Sequence, residues 1–194
     1  MIYVCIMNDT RLDRVFGRNY KVLKLFLGEP EREFYVTEAA EILNMNKMSV
    51  LRALEGMVKA GFMKSRFDNY RKFYKLRDSP MIKLLKILGN LDSLLVAEFL
   101  KKFGSKSGMI MLYGSRAEGT DVVDSDWDFI IVSNELDVVA VNRTISELEA
   151  RFGVQINVKL YTSEEYVEFT EKKTPFYREV MANNVVLGGR DRES

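Results

Sequence analysis

A segment of fifteen residues, GSRAEGTDVVDSDWD at 114–128, constrains the fold more than any other feature of the chain. It links two apolar runs whose composition predicts buried strands over 108–113 and 127–132. Alternate side chains share one face of a strand, so Asp126 and Asp128 project the same way, with their Cα atoms roughly 6.5–7 Å apart. The segment therefore predicts a Gly-Ser loop at the end of one strand and a pair of carboxylates at the start of the next.

The chemistry of this segment favours a phosphate ligand and a hard metal ion. Two carboxylates on one face can share divalent cations, and two ions about 3.5–4 Å apart hold the attacking and leaving oxygens of a phosphoryl displacement. Gly114 would let a phosphate approach the backbone closely, and the N–H and hydroxyl of Ser115 offer it hydrogen bonds. We therefore expect the loop to bind a triphosphate and the next strand to bind its metal.

The chain contains no histidine, which excludes several classes of site. A Ser-His-Asp triad, a His-ligated zinc and an imidazole general base all require that side chain. The apolar runs are far shorter than the roughly 18–20 residues that cross a bilayer, and the first residues lack the basic region of a signal peptide. We expect a cytoplasmic protein without a membrane partner, whose chemistry depends on carboxylates and a metal.

Charge is distributed unevenly along the chain. Residues 11–88 contain 17 Lys or Arg and 9 Asp or Glu, a net charge of +8, which leaves −7 on the rest of a chain whose total is +1. This asymmetry indicates a basic module joined to an acidic one.

Helical periodicity and a hairpin pattern occupy the basic module. Predicted helices cover 19–28, a short segment capped by Thr37, and 47–60, with a tight turn before the last. The segment 62–77 then reads as a β-hairpin whose turn is Asp68-Asn69. The apolar side of the third helix is predicted to comprise Met48, Leu51, Leu54 and Val58. Five aromatic residues are predicted to form hairpin core and cross-strand pairs rather than base-stacking platforms: Phe62, Phe67, Tyr70, Phe73 and Tyr74.

This order of helices and hairpin resembles the winged helix-turn-helix family of DNA-binding domains. The resemblance implies that 47–60 is the recognition helix and 62–76 the wing. Positive charge on both elements is suited to the phosphates of double-stranded DNA. The predicted DNA-binding residues are Lys47, Ser49, Arg52, Lys64, Arg66, Arg71 and Lys72. The alternative is a winged helix that serves only in dimerisation or protein binding. If the domain does bind DNA, a homodimer is the usual arrangement on a palindromic site.

The remaining residues carry a second resemblance. Gly114-Ser115, ten residues, then Asp126-x-Asp128 is similar to the signature of the polymerase β-like nucleotidyltransferase superfamily, and the stretch 104–190 resembles its minimal nucleotidyltransferase branch. The resemblance implies an α+β fold with a mixed sheet and transfer of a nucleoside monophosphate from ATP or another NTP. Gly114, Ser115 and Arg116 would bind the nucleotide, and Asp126 and Asp128 would be the catalytic ligands of Mg²⁺.

The sequence departs from this family at two positions. Many members supply a third carboxylate from the neighbouring strand, predicted here over 154–161, where the corresponding position is near Asn157. An asparagine oxygen can coordinate a cation, but a neutral amide cannot act as a general base. Glu118 stands where related sequences often carry arginine, and its charge would oppose nucleotide binding.

Two functions remain open at this point. In the first, the chain is a nucleotidyltransferase that a winged helix recruits to DNA or to a partner, and a protein or small-molecule hydroxyl is the acceptor. In the second, it is a DNA-binding regulator whose impaired nucleotidyltransferase domain senses a nucleotide or dimerises. Either function predicts a winged helix over 11–78, a helical linker over 79–103 and a nucleotidyltransferase domain over 104–190.

Overall fold

The computed structural model describes residues 10–188, and the chain divides after Asp92 into two compact units. The architecture is α+β, as predicted: each unit combines α-helices with a β-sheet. Among the described residues, no helix combines the length and the apolar character that crossing a membrane requires. The two helices of the predicted linker fall on opposite sides of the division between the units.

The N-terminal unit contains four α-helices and three short strands within its described residues. They are α1 (Arg11–Gly28), β1 (Phe34–Tyr35), α2 (Val36–Ile42), α3 (Lys47–Lys59), β2 (Met63–Asp68), β3 (Arg71–Leu76) and α4 (Pro80–Leu91). The predicted first helix is longer than expected because Thr10 and Asp13 form a capping box at its start. Gly17, with φ +62°, interrupts the helical backbone within α1.

The core-facing side of helix α3 agrees with the prediction at Leu54 and Val58 and differs from it at Met48. Asn46 caps it by accepting a hydrogen bond from the Met48 N–H at 2.9 Å. Met48, predicted to be apolar core, is 55% exposed. Val50, two residues further along the helix, is buried where Met48 was expected to be. The buried residues of α3 are Val50, Ala53, Leu54 and Met57.

The hairpin is present, but its turn lies one residue later than predicted. Asp68 pairs with Arg71 in the β2–β3 ladder, so the two turn residues are Asn69 and Tyr70. Both have positive φ, 44° and 66°. Positive φ at both central residues is what a two-residue hairpin requires. Strand β1 pairs with β3 on its other side, which gives a three-stranded antiparallel sheet in the order β1-β3-β2.

The prediction that all five hairpin aromatics pack into the core or in cross-strand pairs is wrong for one of them, Tyr70. Tyr74 is buried and Phe62 packs against the core cluster. Phe67 is 74% exposed but pairs across the hairpin with Lys72, whose ammonium lies 5.7 Å from its ring centroid. Tyr70 is fully exposed in the turn. Both lie at the tip of the hairpin, beyond the reach of the core that Tyr74 helps to form.

The C-terminal unit is a mixed four-stranded sheet with helices. Its described elements are α5 (Leu94–Phe103), β4 (Met109–Tyr113), α6 (Ser115–Glu118), β5 (Trp127–Val132), α7 (Val138–Phe152), β6 (Ile156–Tyr161), α8 (Ser163–Lys172), α9 (Pro175–Ala182) and β7 (Asn184–Gly188). The strand order is β6-β5-β4-β7, with β5 and β6 parallel and the other pairs antiparallel. The predicted strand 127–132 is confirmed with the same bounds, whereas β7 was not predicted.

Both faces of this sheet are packed. Met111 and Ile130 lie on one face in a cluster with Phe169 of α8 and Val180 of α9. On the other face, the ring of Phe129 stacks on Phe99 of α5 with centroids 3.9 Å apart. Because β4 and β5 are covered on both sides, they read as continuous apolar runs in the sequence. Their ends, where polar residues begin, form the candidate site.

Candidate nucleotide site

Gly114 forms the corner between β4 and α6, and its backbone and surroundings both require glycine. Its φ and ψ are 71° and −161°, a region that side chains essentially exclude. A Cβ built at this position would lie 2.6 Å from Oδ2 of Asp128. The Gly-Ser turn is therefore packed directly against one of the two predicted metal ligands, and Ser115 follows immediately as the first residue of α6.

The two aspartates and Asn157 lie together. In the parallel ladder, Asp128 of β5 pairs with Asn157 of β6. The Asn157 amide donates hydrogen bonds to both carboxylates, at 3.3 Å to Oδ2 of Asp126 and 2.9 Å to Oδ1 of Asp128. Trp127, between the aspartates in sequence, is buried. The alternation predicted for this strand thus brings both carboxylates to a single amide.

Tyr113, the last residue of β4, pairs with Asp128 in the β4–β5 ladder. Burial, with the negative charge of Asp128 as a smaller cause, raises the pKa of Tyr113 to about 12. This phenol is therefore protonated at neutral pH and does not serve as a general base.

The donor set at this corner is suited to magnesium. Within residues 10–188, no cluster of three or more His, Cys, Asp or Glu side chains is placed to bind a metal ion. Mg²⁺ is usually bound by one or two carboxylates together with waters and substrate phosphates, rather than by a cage of protein ligands. The pair Asp126 and Asp128 meets that requirement, provided that a nucleotide supplies further oxygens.

Arg116, predicted to bind the nucleotide, has several partners within the protein. Its side chain is buried and forms an ion pair with Asp121 at 3.2 Å. It also donates to the backbone oxygen of Ser125 at 2.7 Å, and its guanidinium lies 4.3 Å from the ring centroid of Trp127. Arg116 therefore ties the loop before Asp126 to the strand that carries Asp128.

A cleft of about 430 Å³ opens beside Asp126, and no sequence signal pointed to it. It lies between the loop before β5 and the end of α7. The carboxylates of Asp124, Asp126 and Glu149 give it an acidic lining. Its lining residues are Val123, Asp124, Ser125, Asp126, Glu149, Gly153, Val154 and Gln155.

With this geometry established, the family can be assigned. The family model described as "Polymerase beta, Nucleotidyltransferase" matches residues 96–193, half of the chain. The chain belongs to the polymerase β nucleotidyltransferase family. The match covers the predicted nucleotidyltransferase domain and does not reach the helix pair or the hairpin of the N-terminal unit.

Part of the chain is also similar to three solved structures. One is a crystal structure of a toxin-antitoxin with AMP-PNP, 22% identical, which covers 51% of this chain and 74% of that chain with a TM-score of 0.36. Two are mutants of the toxin-antitoxin MntA-HpeT, 19% and 21% identical, covering 50% of this chain and 73% and 72% of theirs, both with a TM-score of 0.35. No curated protein matches the chain.

Glu118, at the end of α6 in the nucleotidyltransferase domain, is held by neighbouring polar groups. Its carboxylate accepts from the Asn183 amide at 3.2 Å and from the Thr120 hydroxyl at 3.4 Å. These neutral donors leave the negative charge in place. The expectation that this charge opposes nucleotide binding stays a prediction.

The predicted DNA-binding residues outside the family match divide into two groups. Arg66 is paired with Glu33 at 2.6 Å, and Lys72 with Glu55 at 2.7 Å. The hydrogen bond from Lys72, with a second from Tyr74, lowers the pKa of Glu55, so this carboxylate is ionised at neutral pH. The glutamates are the residues that sequence reasoning missed, because Glu33 is 33 positions from its partner in the chain.

The other four predicted DNA-binding cations form no ion pair with a carboxylate within residues 10–188. Lys47 and Arg52 are exposed on α3, and Lys64 and Arg71 are exposed on the hairpin. Ser49 is half-buried in the first turn of α3. Arg71 lies 5.1 Å from the ring centroid of Tyr35, a contact that leaves its charge uncompensated. The positive surface of the N-terminal unit is thus smaller than a count of its lysines and arginines implies.

Proposed function

We propose that the domain over 104–190 is a Mg²⁺-dependent nucleotidyltransferase that transfers a nucleoside monophosphate from an NTP, ATP in the first instance, to an acceptor hydroxyl. The observation that carries this proposal is the contact between Gly114 and Asp128. Gly114 lies so close to Asp128 that a Cβ at this position would be 2.6 Å from a carboxylate oxygen, which brings a phosphate-binding turn and a metal ligand to one place. A triphosphate with its metal needs that combination.

Each residue at the corner then has a role set by its chemistry. The N–H and hydroxyl of Ser115 hold the phosphates, and Asp126 and Asp128 are the ligands of Mg²⁺. When bound there, Mg²⁺ would neutralise charge on the triphosphate and orient it for in-line displacement. Arg116 acts as a positioning residue, since its ion pair with Asp121 fixes the loop that precedes Asp126. We expect the acceptor to enter the cleft beside Asp126.

Asn157 limits the rate that we expect from this site. Its amide holds the two carboxylates through hydrogen bonds but has no basic atom to take a proton from the acceptor. Loss of one negative charge also weakens the attraction for a divalent cation. We therefore expect measurable but slow transfer.

Transfer is tested by measuring Mg²⁺-dependent release of pyrophosphate from ATP. Water serves as the acceptor when no other hydroxyl compound is added. We expect slow release by the native protein, none by Asp126→Asn/Asp128→Asn, and faster release by Asn157→Asp. Asp124→Asn, which removes a nearby carboxylate charge but no assigned ligand, is the matched control for charge loss alone and should release pyrophosphate as the native protein does. Release that is equal in the native protein and the double variant would contradict the proposal.

We further propose that residues 11–78 form a winged helix that binds double-stranded DNA. The support is the helix pair α2 and α3, the hairpin that follows it, and the exposed cations Lys47, Arg52, Lys64 and Arg71. The test is the anisotropy of a labelled duplex at two salt concentrations. Arg71→Glu/Lys72→Glu should weaken binding and reduce its salt dependence. Equal affinity of the native protein and this variant would leave the DNA proposal without support.

A second candidate function is a DNA-binding regulator whose nucleotide site binds without turnover. Asn157 favours it, because its amide donates to both carboxylates and offers no general base. The two candidates differ in one result: the regulator binds ATP but releases no pyrophosphate. A homodimer or a protein acceptor is compatible with either candidate.

A further inference from the structure

Tyr70, in the turn of the β2–β3 hairpin, displays its hydroxyl group to solvent, since the whole side chain is exposed. Among residues 10–188, every other tyrosine is buried or half-buried. In the C-terminal unit, burial is the largest cause that raises the pKa of Tyr113, Tyr161 and Tyr166. Within the described part of the chain, Tyr70 is therefore the phenol most accessible to another molecule.

The hairpin itself does not select tyrosine at this position. Two-residue hairpin turns favour Asn-Gly, because both central residues need positive φ. Asn69, with φ 44°, suits its position, but a bulky side chain at φ 66° is a conformational outlier. The backbone would favour glycine where Tyr70 stands, and none of the described residues packs on its ring. The fold of the unit thus gives the Tyr70 side chain no stabilising role.

The nucleotide site favours an acceptor hydroxyl that ionises easily. Beside Asp126 and Asp128, the neutral amide of Asn157 offers no atom that could take a proton from the acceptor. A phenol has a pKa of about 10, whereas aliphatic hydroxyls resemble water, whose pKa is about 15.7. At a position without a carboxylate base, a phenol is therefore a better acceptor than a serine or sugar hydroxyl.

The hairpin and the cleft beside Asp126 belong to units of opposite net charge. Residues 11–88, which include the hairpin, carry +8, and the rest of the chain carries −7. The attraction is one between whole units, because several cations near the turn have carboxylate partners within their own unit. It favours encounters in which the N-terminal unit of one copy meets the C-terminal unit of another. The cleft, of about 430 Å³, is within the usual size range of ligand pockets.

We propose that the Tyr70 hydroxyl of one copy of this chain is the acceptor for the nucleotide site of a second copy. The phenolic oxygen forms a bond to the α-phosphorus of the NTP, and the bond from that phosphorus to the departing pyrophosphate breaks. The phenolic proton passes to solvent, so the products are a nucleotidylated tyrosine and pyrophosphate. The inference rests on the proposed nucleotidyl transfer, and it adds the acceptor, a phenol on this chain.

The test supplies Mg²⁺ and ATP labelled in its α-phosphate to the full chain, and locates the label by intact mass and peptide mapping. The native protein should gain one nucleoside monophosphate at Tyr70. Tyr70→Phe, which keeps the ring and the backbone strain, should gain none. Tyr70→Ser, which keeps a hydroxyl but not the phenol, should react at least about tenfold more slowly. Ser65→Ala is the matched control, because it removes an exposed aliphatic hydroxyl from the same hairpin and should react as the native protein does.

A second experiment places the acceptor and the nucleotide site on different chains. Tyr70→Phe has the site without the acceptor, and Asp126→Asn/Asp128→Asn has the acceptor without the metal ligands. Neither should be labelled alone. In the mixture, the Asp126→Asn/Asp128→Asn chain should be labelled at Tyr70, more slowly as the salt concentration rises.

Three results would overturn the inference. Label on the native protein but not in the mixture would exclude transfer between copies, and label on another residue would exclude Tyr70 as the acceptor. Pyrophosphate release to water with no label on any chain would also overturn it, while leaving the proposed transferase activity intact. If the native protein neither releases pyrophosphate nor carries label, both the inference and the proposed function fail.

Discussion

Two sharp turns of the molecule use the left-handed region of the backbone in opposite ways. At the corner after β4, Gly114 has φ 71°, and any Cβ there would lie 2.6 Å from a carboxylate oxygen of Asp128. At the hairpin tip, Tyr70 has φ 66°, and its ring meets only solvent. The backbone and its neighbours select the residue type at the corner. At the tip the backbone disfavours the residue present, and no neighbouring group selects it.

The two regions also differ in how their charges are held. The Arg116–Asp121 ion pair beside the corner is buried, with side-chain exposures of 9% and 6%. The Arg66–Glu33 pair on the hairpin is exposed, at 52% and 31%. Removing one partner of a buried pair leaves an uncompensated charge, whereas exposed pairs contribute little. The corner is therefore expected to be rigid and sensitive to substitution, and the hairpin tolerant.

The largest effect on stability is expected from Arg116→Met. This change leaves Asp121 buried without its cation and should lower the free energy of unfolding by about 3 kcal/mol. Chemical denaturation measures it. The matched control is Arg116→Met/Asp121→Asn, which should cost less because no buried charge remains. A double variant less stable than the single one would contradict the assigned role of the pair.

Gly114→Ala should have the next largest effect on stability and should abolish nucleotide binding. Strain at positive φ and the clash with Asp128 should cost about 2 kcal/mol. Gly108→Ala is the control, since its Cβ would lie 3.7 Å from the Val132 oxygen, an ordinary contact. If Gly114→Ala binds an ATP analogue as tightly as Gly108→Ala does, nucleotide binding does not require glycine at position 114.

Tyr70→Gly should change stability in the opposite direction and by less. Relief of the left-handed tyrosine should raise the melting temperature by a few degrees, on the order of 2–4 °C. Differential scanning calorimetry measures this shift, with Tyr70→Phe as the control that keeps the strain. A lower melting temperature for Tyr70→Gly would mean that the ring stabilises the hairpin after all.

The smallest effect is expected from Glu33→Gln on the hairpin. The melting temperature should not change measurably, because the pair with Arg66 is exposed. Release of Arg66 should raise duplex affinity by less than about threefold and steepen its salt dependence. Asp68→Asn, which touches the same arginine at 3.3 Å, is a parallel variant. Weaker DNA binding by Glu33→Gln would argue against a DNA contact by Arg66.

Predictions from the sequence were most accurate where a single local rule determines the structure. Strand 127–132 is buried on both faces, so its apolar run is unbroken, and the aspartates at its start follow from strand alternation. The position of Asn157 beside them was predicted by resemblance, and the register that pairs it with Asp128 agrees with that prediction.

Other features depend on contacts between distant residues and could not be predicted. Strand β7 exists because Asn184–Gly188 pairs with β4, some 70 positions earlier in the chain. Arg116 carries no sequence signal for its ion pair, since arginine beside a Gly-Ser turn equally suits a phosphate. The core-facing side of α3 was misjudged at Met48 because Met48 and Val50 are both apolar, and only packing selects between them.

The central claim is that the corner of Gly114, Asp126 and Asp128 binds a metal-bound nucleotide. The most direct measurement is calorimetric titration of a non-hydrolysable ATP analogue, with and without Mg²⁺, into the native protein and into Asp126→Asn/Asp128→Asn. The account predicts Mg²⁺-dependent binding by the native protein and none by the variant. Failure of the native protein to bind, or equal binding by the variant, would contradict it.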